Sequence, residues 1–165
     1  MEFTSPSLTG RGGEYPTRGV DVSVASERFV LRDQAAQDIT RYDFVKDLVR
    51  LERVVDADLA TSAAAVLLTN DSAYWKESLR ASSVDAAFRI AEGRRLAGRL
   101  AWASHAGVGT MRGRETPLAL IRSHLVRWVD YSSFPGSYGT FRYWVSKFKA
   151  YRPKGRSPTV PLLDP

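Results

Sequence analysis

The stretch DQAAQDITRYDFVKDLVRLERVVDA, residues 33–57, decides how this chain of 165 residues is read. It contains neither proline nor glycine, and apolar residues recur at Ile39, Tyr42, Val45, Leu48, Val49 and Val55. Those spacings line one face of an α-helix. Asp33 stands where a side-chain N-cap would accept a first-turn N–H. The opposite face offers Asp43, Lys46, Asp47, Arg50 and Glu52, with opposite charges three and four residues apart. The reading predicts a long amphipathic helix laid on a sheet.

On the N-terminal side, residues 20–24 alternate apolar Val20, Val22 and Val24 with Asp21 and Ser23. Residues 27–32 alternate again through Phe29 and Leu31, and the two-residue link of Ala25 and Ser26 predicts a β-hairpin. On the C-terminal side, AAAVLLT at residues 63–69 is continuous enough to suit a buried strand, with parallel pairing open to it. Strand, helix and buried strand in that order have the form of a βαβ crossover. Residues 86–90, 96–102, 117–131 and 140–148 then read as strands, divided by turns at Gly93, residues 107–109 and residues 136–139. Within the third, residues 121–127 also fit a helix.

The fold class expected is α/β (α+β): a hairpin, long helix and buried strand, followed by an antiparallel β-rich portion. One domain spans residues 20–150. Residues 1–19, rich in Gly, Ser and Thr, read as a flexible leader, and residues 151–165 hold four of the eight prolines and read as an extended tail.

Composition excludes much. With 44% hydrophobic and 25% charged residues the chain reads as globular, and 165 residues suit one domain better than two. There is no cysteine, which removes disulfides, thiolate metal sites and thiol nucleophiles. Two histidines, His105 and His124, leave little room for a His-ligated metal or a Ser–His–Asp triad. No stretch reaches the roughly 18 to 20 apolar residues of a membrane span, and the start has no signal-like apolar core, so the expected location is cytoplasmic. The net charge of +6 divides unevenly. Residues 1–60 carry 8 basic against 11 acidic side chains, and residues 61–165 carry 16 against 7. An anionic partner, if there is one, belongs to the second half.

Three groups of residues are candidates for chemistry. Asn70 and Asp71, with Tyr74 and Trp75, follow the buried strand, where open α/β sheets take ligands. There Asp71 could bind a metal or orient water and Trp75 could stack on a base, or the group is a capped turn with Trp75 at the core edge. Arg112 and Arg114 lie in a glycine-containing loop and suit phosphate by their planar forks, although the Gly-Lys-Ser/Thr ending of a nucleotide-binding loop is missing. The aromatic residues between Trp128 and Trp144, interleaved with Arg127, Arg142, Lys147 and Lys149, form either a core or a stacking platform.

Residues 31–47 (LRDQAAQDITRYDFVKD), 67–75 (LLTNDSAYW), 88–94 (FRIAEGR), 113–115 (GRE) and 127–132 (RWVDYS) together resemble a bacterial family similar to PD-(D/E)XK restriction-endonuclease-like proteins. The resemblance implies a helix and an Asp-bearing strand, then a Glu-X-Lys strand. Its carboxylates would hold Mg²⁺ and its lysine would help to position water for phosphodiester cleavage. The family pattern places Glu-Leu-Lys-Tyr just ahead of the Thr-Arg that is Thr17 and Arg18 here. This chain reads Gly12, Gly13, Glu14, Tyr15 and Pro16 instead, so only Tyr15 fits and Glu14 stands at the lysine position. The resemblance therefore implies a relative lacking the N-terminal catalytic part. Glu14, Asp33 and Gln37 are its catalytic candidates, Mg²⁺ its metal only if catalysis survives, and no metal ligand set is assigned. Arg112, Arg114, Asn70 and Trp75 are the candidates for touching DNA. The rival expectation is a non-enzymatic module that binds another protein.

Overall fold

The computed structural model describes the backbone of residues 19–24 and 27–32, and residues 36–78, 80 and 82–150 in full. Most of the expected leader, the expected tail, Glu14 and Asp33 lie outside the described residues. The class is mixed α+β, with one long helix and otherwise antiparallel sheets.

Strands β1 (Gly19–Val24) and β2 (Glu27–Arg32) form the predicted hairpin, in a register that sets Val20 opposite Leu31 and Val22 opposite Phe29. Helix α1 runs from Gln37 to Asp56. Asp33 is not its N-cap: that position falls on Ala36, in left-handed backbone (φ 57°) and with no side-chain cap bond. The helix ends where Asp58 turns left-handed (φ 55°), with its N–H on Val55 O and the Leu59 N–H on Val54 O. This pair of bonds is a Schellman closure, here made without glycine.

Tyr42, Val45, Leu48, Val49 and Val55 are buried along α1 as the spacing predicts, and Phe44 joins them. Each such side chain contributes about 1.5–3 kcal/mol when fully removed from water. Phe44 meets Trp144 at 5.2 Å between ring centroids. Tyr42 stacks on Trp102 at 5.4 Å and donates its hydroxyl to Thr116 O at 2.9 Å. A second prediction about this helix, besides its N-cap, fails. Glu52, placed on the solvent face by charge pattern, is fully buried.

Strand β3 (Ser62–Thr69) follows, but among the described residues its hydrogen-bonded neighbour is β7 (Thr140–Lys149), and the two are antiparallel. β6 (Trp128–Ser133) pairs with the other side of β7, giving the order β3-β7-β6. The βαβ crossover expected from sequence is therefore absent from the hydrogen-bonded sheets: no ladder joins β2 to β3. Nor is β3 buried on both faces. Ala65 and Thr69 face the core beneath α1, while Val66 and Leu68 are exposed on the outer face.

A second pair, β4 (Arg95–Leu100) and β5 (Leu118–Leu125), packs through Leu96, Leu100, Leu118 and Leu120 against the same core. Residues 86–90 are not a strand. Ala86–Phe88 forms a 3₁₀ turn, closed by the Phe88 N–H on Asp85 O, which seats Phe88 and Ile90 in the core. Residues 121–127 are strand and connection rather than helix, and the glycine loop carries a four-residue helix, α2 (Val108–Met111).

Candidate functional site

Gln37 and Arg41, one turn apart at the start of α1, both reach the turn that follows β3. The Gln37 amide donates to Asp71 Oδ2 at 2.6 Å, and Arg41 Nη2 donates to Ala73 O at 2.7 Å. Asp71 also accepts the Ala73 N–H on Oδ1 at 2.9 Å, and Thr69 Oγ1 accepts the Asp71 N–H. Asp71 is thus a buried turn-capping carboxylate with both oxygens engaged. The sequence signal for this turn was sound, and the capped-turn reading describes it.

Beside the turn, Arg41 Nη1 meets Asp85 Oδ2 at 2.5 Å, and Arg89 Nε lies 3.7 Å from Asp85 Oδ1. Ser83 donates its hydroxyl to Asp85 and accepts from Arg89 Nη2 at 2.6 Å. Burial pushes the Asp85 carboxyl up, but the Ser83 hydroxyl and the guanidiniums of Arg41 and Arg89 outweigh it and hold Asp85 below its usual value. Arg94, held by Ala86 O and Ala87 O, is lowered by burial and by repulsion from Arg89. Two guanidiniums therefore share one buried carboxylate, with a third, Arg94, held by backbone carbonyls nearby. Among the described residues, the Nε of Arg41 and of Arg89 has no hydrogen-bond partner.

This cluster floors an open cleft of about 500 Å³. Lys76 and Arg80 stand exposed on its rim, opposed by Glu77, with Asp38 beside Gln37. No signal in the sequence pointed to Asp85 or Arg89, since nothing in their spacing differs from a solvated charged segment.

The other candidates are engaged elsewhere. Asn70 donates to Tyr138 O at 3.1 Å. Trp75 is only 8% exposed, with its ring against Trp128 at 5.8 Å and Arg142 over it at 5.4 Å, so it closes the core edge and offers no free face to a base. Arg114 forks onto Asp43 at 2.9 and 2.7 Å, so its planar edge is already taken. Arg112 is exposed in the loop after α2. Of the four residues expected to touch DNA, Arg112 alone is placed on open surface, and Gln37 is the only catalytic candidate among the described residues.

The Mg²⁺ implied by the family resemblance does not fit the side chains described here. Among the described residues no three acidic or histidine side chains converge on a point. Asp71 and Asp85 already hold an amide and two guanidiniums, and Lys46 lies nine residues along α1 from Gln37, about 13 Å away.

One serine, one histidine and one acidic side chain do meet in the core. His124 Nε2 meets Glu52 Oε1 at 2.7 Å and His124 Nδ1 meets Ser146 Oγ at 2.6 Å. Glu52 further accepts the Ile121 and Arg122 N–H groups at 2.8 and 2.9 Å. A carboxylate accepts only, so His124 donates to Glu52 from Nε2. All three side chains are buried in the interface between α1 and the sheets, so Ser146 is not presented to a substrate. The arrangement is a structural lock.

No family model, no curated protein and no solved structure matches this chain. No helix among the described residues is long and apolar enough to cross a membrane.

Proposed function

We propose that the chain is a nuclease-like, DNA-contacting protein that holds a phosphate-bearing strand at the cleft beside the end of β3 without cleaving it. The observation that carries this reading is the cleft itself: Lys76 and Arg80 stand exposed on its rim, above a floor that Arg41 and Arg89 form with Asp85. The excess of basic residues in the second half of the chain would favour approach of a polyanion.

The test is binding of a short DNA duplex across a salt series. Affinity should fall steeply with salt, because each phosphate contact releases counterions. The Lys76→Glu/Arg80→Glu double variant should weaken binding about tenfold and flatten the salt slope by about two contacts. Salt-insensitive or absent binding would sink the reading. Cleavage of plasmid DNA with Mg²⁺ or Mn²⁺ that persists in Gln37→Ala and Glu14→Ala variants would sink its non-cleaving part.

A second reading, a protein-interaction module, is favoured by the outer face of the β3-β7-β6 sheet. Val66 is 60% and Tyr131 66% exposed there, with Leu68 and Val129 beside them, and this face is separate from the arginine cleft. Contiguous exposed apolar surface of this kind marks contact sites in many proteins. Sedimentation of the chain alone at rising concentration tests self-contact: a Val66→Lys/Tyr131→Lys variant should sediment as a smaller species if this face associates.

A further inference from the structure

The aromatic run between Trp128 and Trp144 is split by the sheet into core and surface. On β7 the positions Trp144, Ser146 and Phe148 are buried, and the alternate positions Tyr143, Val145, Lys147 and Lys149 lie on the outer face. On β6, Trp128 is buried while Val129 and Tyr131 are exposed. The core takes the two tryptophans, and two tyrosines are left outside.

Register draws the outer side chains together. Tyr143 sits across from Leu68 on β3 and from Val129 on β6, and Val145 sits across from Val66. The β6–β7 ladder slips between Asp130 and Ser132, and Tyr131 has no partner in it. A bulge of this kind re-aims a side chain. Here it sets Tyr131 against Tyr143, with 6.4 Å between ring centroids and 86° between planes. In an edge-on pair each ring keeps at least one face free of the other. The exposure of Tyr131 leaves its ring open to solvent.

The face changes character along β7. Lys147 and Lys149 are exposed across from Ala64 and Ser62, whose side chains are too short to shield them. Neither lysine has an ion-pair partner among the described residues. Asp130 is the one acid in the three strands. It pairs in register with Arg142, in the inner row of β7, and Arg142 Nε holds its Oδ1 at 2.6 Å. The outer rows therefore carry cations and no acid.

Two tyrosines on an apolar floor, with two cations beyond them along one strand, match a single-strand site. Bases stack on such rings, and phosphates follow the cations. A second copy of the chain fits poorly, because a two-fold interface must complement itself and this face has no acid to meet its lysines. A stable protein interface takes about 20–30 residues a side, and these outer rows hold about a dozen. Deoxyribose suits the surface better than ribose. The floor around the tyrosines is Val66, Leu68, Val129 and Val145, which would bury a 2′-hydroxyl without a partner. We propose that the outer face of the β3-β7-β6 sheet binds single-stranded DNA, stacking bases on Tyr131 and Tyr143 and leading the phosphates along Lys147 and Lys149. This site is separate from the arginine cleft and does not rest on it.

The probe is a fluorescein-labelled decamer of deoxyuridine, titrated with the full chain and followed by anisotropy. Tyr131→Leu keeps the apolar surface but removes the ring, and should weaken binding at least fivefold, whereas Tyr131→Phe should bind like the parent. The Tyr131→Leu loss should be the same in a Lys76→Ala/Arg80→Ala background, which separates this site from the cleft. Lys147→Ala/Lys149→Ala should flatten the slope of log affinity against log salt by about 1.4, the share of two single-strand phosphate contacts. Photo-crosslinking of the parent chain to the 5-iodo form of the decamer needs no variant, and its adducts should map by mass to Tyr131 or Tyr143. No binding, a smaller Tyr131→Leu loss, a loss that vanishes in the cleft background, an unchanged salt slope, or adducts only elsewhere each overturns the proposal. Equal or tighter binding of the uridine decamer, which differs only by its 2′-hydroxyls, overturns the choice of DNA. Self-association that Val66→Lys/Tyr131→Lys relieves, in a chain that binds no decamer, gives the face to a second copy and overturns it as well.

Discussion

Helix α1 carries a polar cluster at each end, and the two differ in kind. Near its C-terminal end, Glu52 meets two β5 backbone N–H groups and His124, and His124 meets Ser146 on β7. The ladder between β4 and β5 jumps from the Leu96–His124 pair to the Gly98–Leu120 pair, which leaves Ile121 and Arg122 without strand partners on β4. Glu52 substitutes for the missing strand. Fifteen residues earlier, about 22 Å along the axis, the Gln37 and Arg41 end gathers more donors than acceptors and opens onto a cleft. A closed network in which each acceptor is met fixes a fold. The unpartnered guanidinium nitrogens at this end are buried, and the charges it exposes are Lys76 and Arg80 on the cleft rim. The contrast separates what holds this molecule together from what it can offer.

The contrast breaks first at Glu52. Glu52→Ala should lower unfolding stability by about 3–5 kcal/mol, because it strands His124 and two backbone donors in the core. Chemical denaturation at neutral pH measures it, and a loss under about 1 kcal/mol would mean that the cluster does not lock the sheet to α1.

Asp85→Asn comes next, with an expected loss of about 2 kcal/mol at pH 7. Its pH dependence has a definite sign. The folded-state carboxyl lies below its usual value of 3.8, so its contribution is complete above that value and is lost as pH falls through the lower folded value. Acid titration of the two proteins should therefore show their stabilities converging below pH 3.8 and not above pH 7. Parallel acid limbs would remove Asp85 as the counter-charge of the cleft.

Gln37→Ala should be milder, about 1 kcal/mol, since it removes a single side-chain bond at the edge of the structure. Its informative effect is faster proteolysis near the turn at residues 70–75, with the core unaffected. Arg50→Ala, which cuts an exposed pair with Asp47, should change stability by under about 0.5 kcal/mol and serves as the baseline for the rest.

Sequence alone made α1 legible because its burial follows a single period, and the hairpin legible because a two-residue link leaves few alternatives. β3 was recognisable as a strand, but its partner was not, since AAAVLLT has the same composition whether its neighbour is parallel or antiparallel. Glu52 misled because charge spacing on a helix says nothing of a backbone irregularity in a distant strand. The same limit hid Asp85 and Arg89. Asp71 was placed at the right point of the chain, after a strand and beside Gln37, yet its carboxylate serves the turn. Trp75 and Arg114 were chosen for what their side chains can do, and both were already occupied by neighbours that pattern does not display.

The β3–β7 ladder has a consequence in time. It joins Ser62 to Lys149 and Thr69 to Arg142, partners 87 and 73 residues apart. Closing loops of that length ahead of any ladder bond makes the step entropically slow, and topologies dominated by such pairings fold in milliseconds to seconds. During synthesis, β3 leaves the ribosome long before β7 exists. For that interval an uncharged eight-residue strand lacks the ladder partner that β7 later supplies, which exposes it to wrong pairings.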